Sequence, residues 1–395
     1  MRIGATIYLD HQATTPVDSR VLAKMSPFFT ETFGNPHSAD HVLGWESSQS
    51  VEAAAATIGE LIGADGDEII FTSGATEANN LALLGLGRRA AGGRRCRVLV
   101  AATEHKCVLA ASSALRKQLG YEVQYLPVDA QGFVDLAVLE QQLSEDVLLV
   151  SIALVNNEIG TIQDIPAISE LARASGALLH CDGAQAPFAI DMSAIATLSD
   201  FLSLSAHKIY GPKGLGASYV RRDLQDQIEP IIYGGGQQGN LRSGTVPVPL
   251  CVGMAEAVRL LNSAHSHSER EELRKRTAKF IGGVRDLPWH IQLNGPGNAR
   301  RHPGNANLRF DGFEAGDVLR VLQPRLAAST GSACTSGIPE PSHVLRAINL
   351  TGDQANSSIR FSLGRDTTDS DVESAVALIR DALTQLSNAD LQQLG

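Results

Sequence analysis

The chain has 395 residues, a net charge of −10, 43% hydrophobic and 19% charged residues. This describes a folded protein with room for two domains and excludes a disordered chain. The acidic balance argues against direct nucleic-acid binding, and no apolar run reaches the roughly 18–20 residues of a membrane span.

The first residues lack the apolar core of a signal peptide. Cys96, Cys107, Cys181, Cys251 and Cys334 are scattered, with no CxxC pair. That pattern fits a reducing, cytoplasmic setting and predicts no metal site and no disulfide framework.

In chain order, a short apolar patch, Ile7-Tyr8-Leu9, leads into the polar turn from Asp10 to Pro16. Val51, Ala55, Ile58 and Ile62 form a helical stripe that Gly63 ends. A pattern then recurs. Strands are predicted over 68–71, 97–101, 147–154, 177–180 and 201–204, with helices such as 108–119 and 165–175 between them. Alternating strands and helices predict an α/β fold, a mostly parallel sheet with helices on both faces.

Each predicted strand runs into polar residues: Thr76, His105, Asn157, Asp182 with Gln185, then His207 with Lys208. Ligands bind at the carboxyl ends of strands in such sheets, so these residues are expected to meet in one crevice. Lys208 at a buried strand end is a candidate amine nucleophile, because burial lowers a lysine pKa. Such an amine can form a Schiff base, and pyridoxal phosphate is the usual carbonyl partner.

The Gly-rich loop 233–239, continuing to Arg242-Ser243-Gly244-Thr245, is a weak phosphate-binding signal. The charged run 263–279 reads as a solvated helix between domains. Beyond it, short strands at 307–310 and 358–362 and a last helix striped by Val372, Val376, Ile379 and Leu383 predict a smaller α+β domain. The expected division is 16–262 for the large domain and 1–15 with 263–395 for the small one. The loop 329–339 is small and polar, carries Cys334 and is expected to be mobile and exposed. Cys107 is expected to pack passively, and His180 and Cys181 to face the core.

Together, Tyr8-Leu9-Asp10 with Ala13-Thr14-Thr15-Pro16, Thr72-Ser73-Gly74-Ala75-Thr76-Glu77, Thr103-Glu104-His105, Asn156-Asn157-Glu158-Ile159-Gly160, Asp182-Gly183-Ala184-Gln185, Ser205-Ala206-His207-Lys208, Arg242-Ser243-Gly244-Thr245, Gly331-Ser332-Ala333-Cys334 and Ser358-Ile359-Arg360-Phe361 resemble the cysteine desulfurases of the NifS/IscS type. These are class V, fold-type I, aspartate-aminotransferase-like enzymes. The resemblance runs in order from about residue 7 to about residue 365.

The resemblance implies pyridoxal phosphate held by Lys208, with Asp182 on the ring nitrogen and His105 on the ring face. It implies Asn157 and Gln185 beside the ring oxygen, and Ala75, Thr76, Ser205 and His207 around the phosphate. Thr245 would arrive from the second subunit of a homodimer. Arg360, with Asn157, would bind the substrate L-cysteine, and Arg360 would clamp its carboxylate. Cys334 would take the sulfur as a persulfide and pass it to an acceptor protein, for iron–sulfur clusters, thio-cofactors, tRNA or DNA. Relatives serving general iron–sulfur assembly often carry a longer C-terminal tail than this chain, which leaves that acceptor open. A selenocysteine lyase or related lyase of the same fold is the alternative, and a non-enzymatic sulfur carrier a more distant one.

Overall fold

The computed structural model of the chain describes residues 1–262, 265–331 and 341–394. Its centre is a seven-stranded sheet of β1 (Ile69–Thr72), β2 (Arg97–Ala101), β3 (Glu122–Leu126), β4 (Val147–Ser151), β5 (Leu178–Asp182), β6 (Phe201–Ser205) and β7 (Gly216–Val220), in the order β1-β7-β6-β5-β4-β2-β3. The links β6–β5, β5–β4, β4–β2 and β2–β3 are parallel, and β7 alone runs against its neighbours.

Strand composition explains the layers. Val98 and Val100 pack into one apolar cluster, Leu99 and Ala101 into the other. Alternate residues therefore bury on opposite faces, and the strands read as unbroken apolar runs. The predicted strands fall within a few residues of the observed ones, whereas β3 and β7 carry no polar turn that singled them out.

Two helices depart from expectation. The first, α1 (Val42–Ile62), begins well before the predicted stripe, at a His41 cap whose ring accepts the Gly44 N–H, and ends at Gly63 with φ +76°. Its early turns leave Val42, Leu43 and Trp45 exposed, so no buried stripe marked them. The second, α2 (His265–Arg285), is not a solvated crossing. Leu273, Thr277, Phe280, Ile281 and Val284 are buried at helical spacing, and it packs against α3 (Asp369–Leu394). The charges between those positions hid the stripe.

A second, antiparallel sheet holds β8 (Ile291–Leu293), β9 (Asn305–Phe310) and β10 (Ser358–Ser362). The N-terminal strand Thr6–Tyr8 pairs with Leu326–Ala327 rather than with the large sheet. From there residues 10–15 run as a strap to the large sheet. The His11 N–H donates to Ser362 O at one end and the Thr15 N–H to His207 O at the other. Arg301, fully buried, fastens this region. Its guanidinium donates to Ile159 O, Asn294 O, Pro296 O and Asn305 Oδ1, and the Asn305 amide donates to Gln12 Oε1 at 2.6 Å. Among the described residues no helix is long and apolar enough to cross a membrane.

Candidate active site

A cleft of about 710 Å³ opens at the carboxyl ends of the parallel strands. Asp182 ends β5 and Ser205 ends β6, while His105, Asn157 and Thr76 follow β2, β4 and β1. All five line the cleft, as do Ala75, Gln185, His207, Lys208 and Arg360. The expected convergence is therefore present in the fold, and its cause is parallel register.

Lys208 lies on a single helical turn, Ala206–Lys208, directly after β6. The turn is fastened from behind. Tyr210 has φ +65°, its N–H donates to Thr15 Oγ1 at 2.8 Å, and its hydroxyl accepts the Arg365 N–H at 2.9 Å. A non-glycine residue with positive φ is costly, so these contacts must hold it. The Lys208 amine donates to the carbonyls of Gln12 and Ala13. Its pKa falls to about 8, chiefly through burial and then through the Arg360 charge, with Asp10 and Asp182 opposing.

Asp182 is nearly buried; it accepts the Ala184 N–H at 2.9 Å and the Asn79 amide at 2.8 Å. His105 caps the helix Lys106–Leu119, with Nδ1 accepting the Cys107 N–H at 3.2 Å. Burial, above all, lowers its pKa. His207 lies with Nδ1 at 3.0 Å from Thr14 Oγ1, and burial with the nearby Lys208 and Lys213 lowers it to about 4, so the ring is neutral at pH 7. Gln185 donates to Gln12 O at 2.9 Å.

Arg360, on β10, donates to Asp10 Oδ1 at 2.7 Å, Ser329 Oγ at 2.9 Å and the Asn157 carbonyl at 2.9 Å. Ser329 also pairs with Arg360 through the backbone in both directions. The foot of the segment leading to Cys334 is thus joined to the arginine. Cys334 and the rest of 329–339 beyond Gly331 lie outside the described residues.

Thr245, expected to serve the site of a second subunit, is exposed and lies outside the cleft of this chain; its loop is held by the Arg242–Glu77 ion pair at 2.8 Å and by the Gly244 N–H to Gln237. Cys107 packs against the apolar cluster of Val98 and Val100. It also lines the cleft, with its sulfur 3.0 Å from His105 Nδ1 and 3.2 Å from the Asn79 amide nitrogen. Burial pushes the thiol up to about 11, which leaves it protonated and a poor nucleophile. His180 and Cys181 are fully buried, as expected.

Sequence reasoning missed Asp10, Gln12, Thr14, Asn79, Glu104 and Glu158. Asp10 and Thr14 sit in a motif and Gln12 lies between its two parts, but all three contact residues nearly 200 or more positions away. Glu104 is fully buried; one oxygen accepts the Ala153 N–H, the other has no partner among the described residues, and burial raises its pKa strongly. Glu158 accepts from Ser342 Oγ at 2.8 Å, and burial raises it to about 7. A Cβ on Gly331, at φ +83°, would come 2.6 Å from Glu158 Cγ, so this carboxyl touches both Gly331 and Ser342.

The donor set fits pyridoxal phosphate. One cleft holds a lysine with a depressed pKa, a carboxylate and a neutral histidine, with hydroxyls of Thr76 and Ser205 where a helical run begins. Among the described residues, Gln12 Nε2 and Arg360 Nε are buried there with no partner, donors without an acceptor.

The family model of class-V aminotransferases matches residues 7–374. The cysteine desulfurase IscS of Rickettsia bellii is 43% identical over 382 residues, 96% of this chain and 92% of the relative. A solved NifS-like protein superposes with a TM-score of 0.89 at 32% identity, covering 97% of this chain and 100% of its own. SspA, solved in complex with cysteine, gives 0.79 at 35% identity over 90% of this chain and 98% of its own. With this cleft and these relatives, the chain belongs to the class-V aminotransferase family of pyridoxal-phosphate enzymes, among its cysteine desulfurases.

Proposed function

We propose that this chain removes sulfur from L-cysteine, releases L-alanine and holds the sulfur as a persulfide on Cys334 for an acceptor protein. The observation that carries the reading is the meeting of Lys208, Asp182 and Arg360 in one cleft, with the chain toward Cys334 leaving from Ser329 beside Arg360.

Bound pyridoxal phosphate supplies a carbonyl that condenses with amines and a ring that withdraws electrons. In this reading Lys208 holds the group and moves protons at the substrate carbons. Near its pKa of about 8 the amine is populated in both proton states at neutral to mildly alkaline pH. Asp182 accepts the ring nitrogen's proton in a hydrogen bond, and His105 covers the ring face. Asn157 and Gln185 sit beside the ring oxygen, and Ala75, Thr76, Ser205 and His207 surround the phosphate. Thr245, exposed on this chain, reaches the phosphate of a second copy in a homodimer. Arg360 takes the substrate carboxylate with the guanidinium donors not spent on Asp10, Ser329 and Asn157.

The Cys334 thiolate attacks the substrate sulfur. A sulfur–sulfur bond forms, the carbon–sulfur bond breaks, and its electron pair stays on carbon, which takes a proton and leaves as alanine. The small domain, 1–15 with 263–395, carries both Arg360 and Cys334 against a cofactor bound by the large one.

Cys334→Ala tests the reading. The expected protein keeps the visible absorbance of lysine-bound pyridoxal phosphate and loses both persulfide and alanine formation. Alanine released from cysteine at the wild-type rate by that variant overturns the proposal.

A further inference from the structure

Behind Asp182 lies a polar chain that none of these roles uses. Asn79, His180 and Ser151 are each 0% exposed. The Asn79 amide nitrogen donates to Asp182 Oδ2 at 2.8 Å, and Asn79 Oδ1 lies 3.1 Å from His180 Nε2. His180 Nδ1 lies 2.8 Å from Ser151 Oγ. The direction of every proton follows from chemistry. An ionised carboxylate only accepts, so the Asn79 nitrogen must face Asp182. Oδ1 then faces His180, which must carry its proton on Nε2, and Ser151 donates to Nδ1. Burial holds the His180 pKa near 4, so the ring is neutral and has one proton to place.

The same amide reaches the other side of the site. Its nitrogen also donates to Cys107 Sγ at 3.2 Å. That sulfur and the Cys107 N–H both lie against His105 Nδ1. With Nδ1 an acceptor, the His105 proton sits on Nε2, the nitrogen left for the cleft.

We propose that Asn79 is the positioning residue of this site, aiming the Asp182 carboxylate at the cofactor ring nitrogen through an amide that also donates to the Cys107 sulfur beside His105. The inference rests on the reading of Asp182 as the ring partner. A neutral amide orients a carboxylate without cancelling its charge, as an arginine or lysine there would. Rotation of the amide would set Oδ1 against the carboxylate, and His180 behind it opposes that rotation. The Ala184 N–H holds the second carboxylate oxygen, so the carboxylate cannot turn away.

The test uses holoenzyme reconstituted with pyridoxal phosphate labelled with ¹⁵N in the ring, and nitrogen NMR from about pH 6 to about pH 9. In the wild type the ring nitrogen stays protonated throughout. In Asn79→Leu it titrates within that range, kcat falls roughly ten- to a hundredfold, and KM for cysteine holds within about twofold. An Asn79→Leu ring nitrogen that stays protonated over the whole range overturns the inference. If Asp182→Asn also leaves it protonated, the reading of Asp182 has failed and takes this inference with it. Wild-type holoenzyme labelled with ¹⁵N-histidine gives a check that needs no variant. His180 and His105 should both be Nε2–H tautomers, and a His180 proton on Nδ1 overturns the proposal.

Discussion

Asp182 and Ser205 stand at the ends of adjacent parallel strands, β5 and β6, whose register main-chain hydrogen bonds set. Gln12 and Thr14 reach the neighbouring residues Lys208 and His207 from a strap tied at Ser362 and at His207. The floor of the cleft is thus fixed by the sheet, and the roof by single contacts spanning most of the chain. Changes in the floor should abolish chemistry, and changes in the roof or wall should weaken binding or stability by degrees.

Lys208→Ala marks the largest expected effect. Turnover of cysteine falls at least about a thousandfold and the visible cofactor band disappears, while Gln12→Ala keeps the band. Equal losses from both would erase the distinction between floor and roof.

Arg360→Lys comes next. The planar fork held by Asp10, Ser329 and the Asn157 carbonyl is lost, although the charge remains. About 1.5–3 kcal/mol of charge-assisted bonding raises KM for cysteine roughly ten- to a hundredfold, with a smaller change in kcat, in steady-state assays. An unchanged KM would remove Arg360 from the carboxylate site.

Glu158, buried behind Gly331 of the cleft wall, gives a stability test. Its folded pKa of about 7 lies above the ordinary carboxyl value, so the native state holds a proton that the unfolded chain releases. Wild-type stability should therefore fall as pH rises from about 4.5 through about 7, by on the order of 3 kcal/mol. Urea unfolding of Glu158→Gln should show that slope flattened; the same slope in both proteins would contradict the assignment.

Lys208 titrates in the opposite sense. Its lowered pKa means that free amine appears as pH rises through about 8. Capture of pyridoxal phosphate by the apoprotein should be about tenfold faster at pH 9 than at pH 7, then level off well below the ordinary lysine value. The unfolded lysine stays protonated above pH 8, so the apoprotein also gains stability with rising pH in that window. A capture rate still climbing toward the ordinary lysine pKa would show an unshifted amine.

The smallest effect belongs to the roof. Thr14→Val removes the hydroxyl beside His207 and weakens cofactor binding by up to about tenfold in equilibrium dialysis, the worth of one hydrogen bond. A loss as large as that of Lys208→Ala would make the strap part of the catalytic floor.

The same division explains what could be read in the sequence. Strand followed by polar turn is a local pattern, so β1, β2, β4, β5 and β6 and their terminal residues were legible before any contact was known. Asn79 sits inside a helix, where an asparagine reads as an ordinary surface residue, and only the fold places it against Asp182. Asp10 is more than 300 residues from its partner Arg360, and no local periodicity records that pairing. The buried stripe of α2 was masked because Arg274, Lys275, Arg276 and Lys279 crowd the positions between Leu273 and Phe280. Glu158 lies in a motif that could be recognised, yet its raised pKa follows from burial beside Gly331 and Ser342, which only packing sets.

The central claim is that the lysine on the floor and the cysteine reached from the roof act in one reaction. Mass spectrometry of holoenzyme treated with L-cysteine, digested without reductant, tests it directly. The account predicts one extra sulfur atom on Cys334 in the wild type and none in Lys208→Ala. Extra sulfur on Cys107 or another cysteine instead, or on Cys334 of Lys208→Ala, would contradict it.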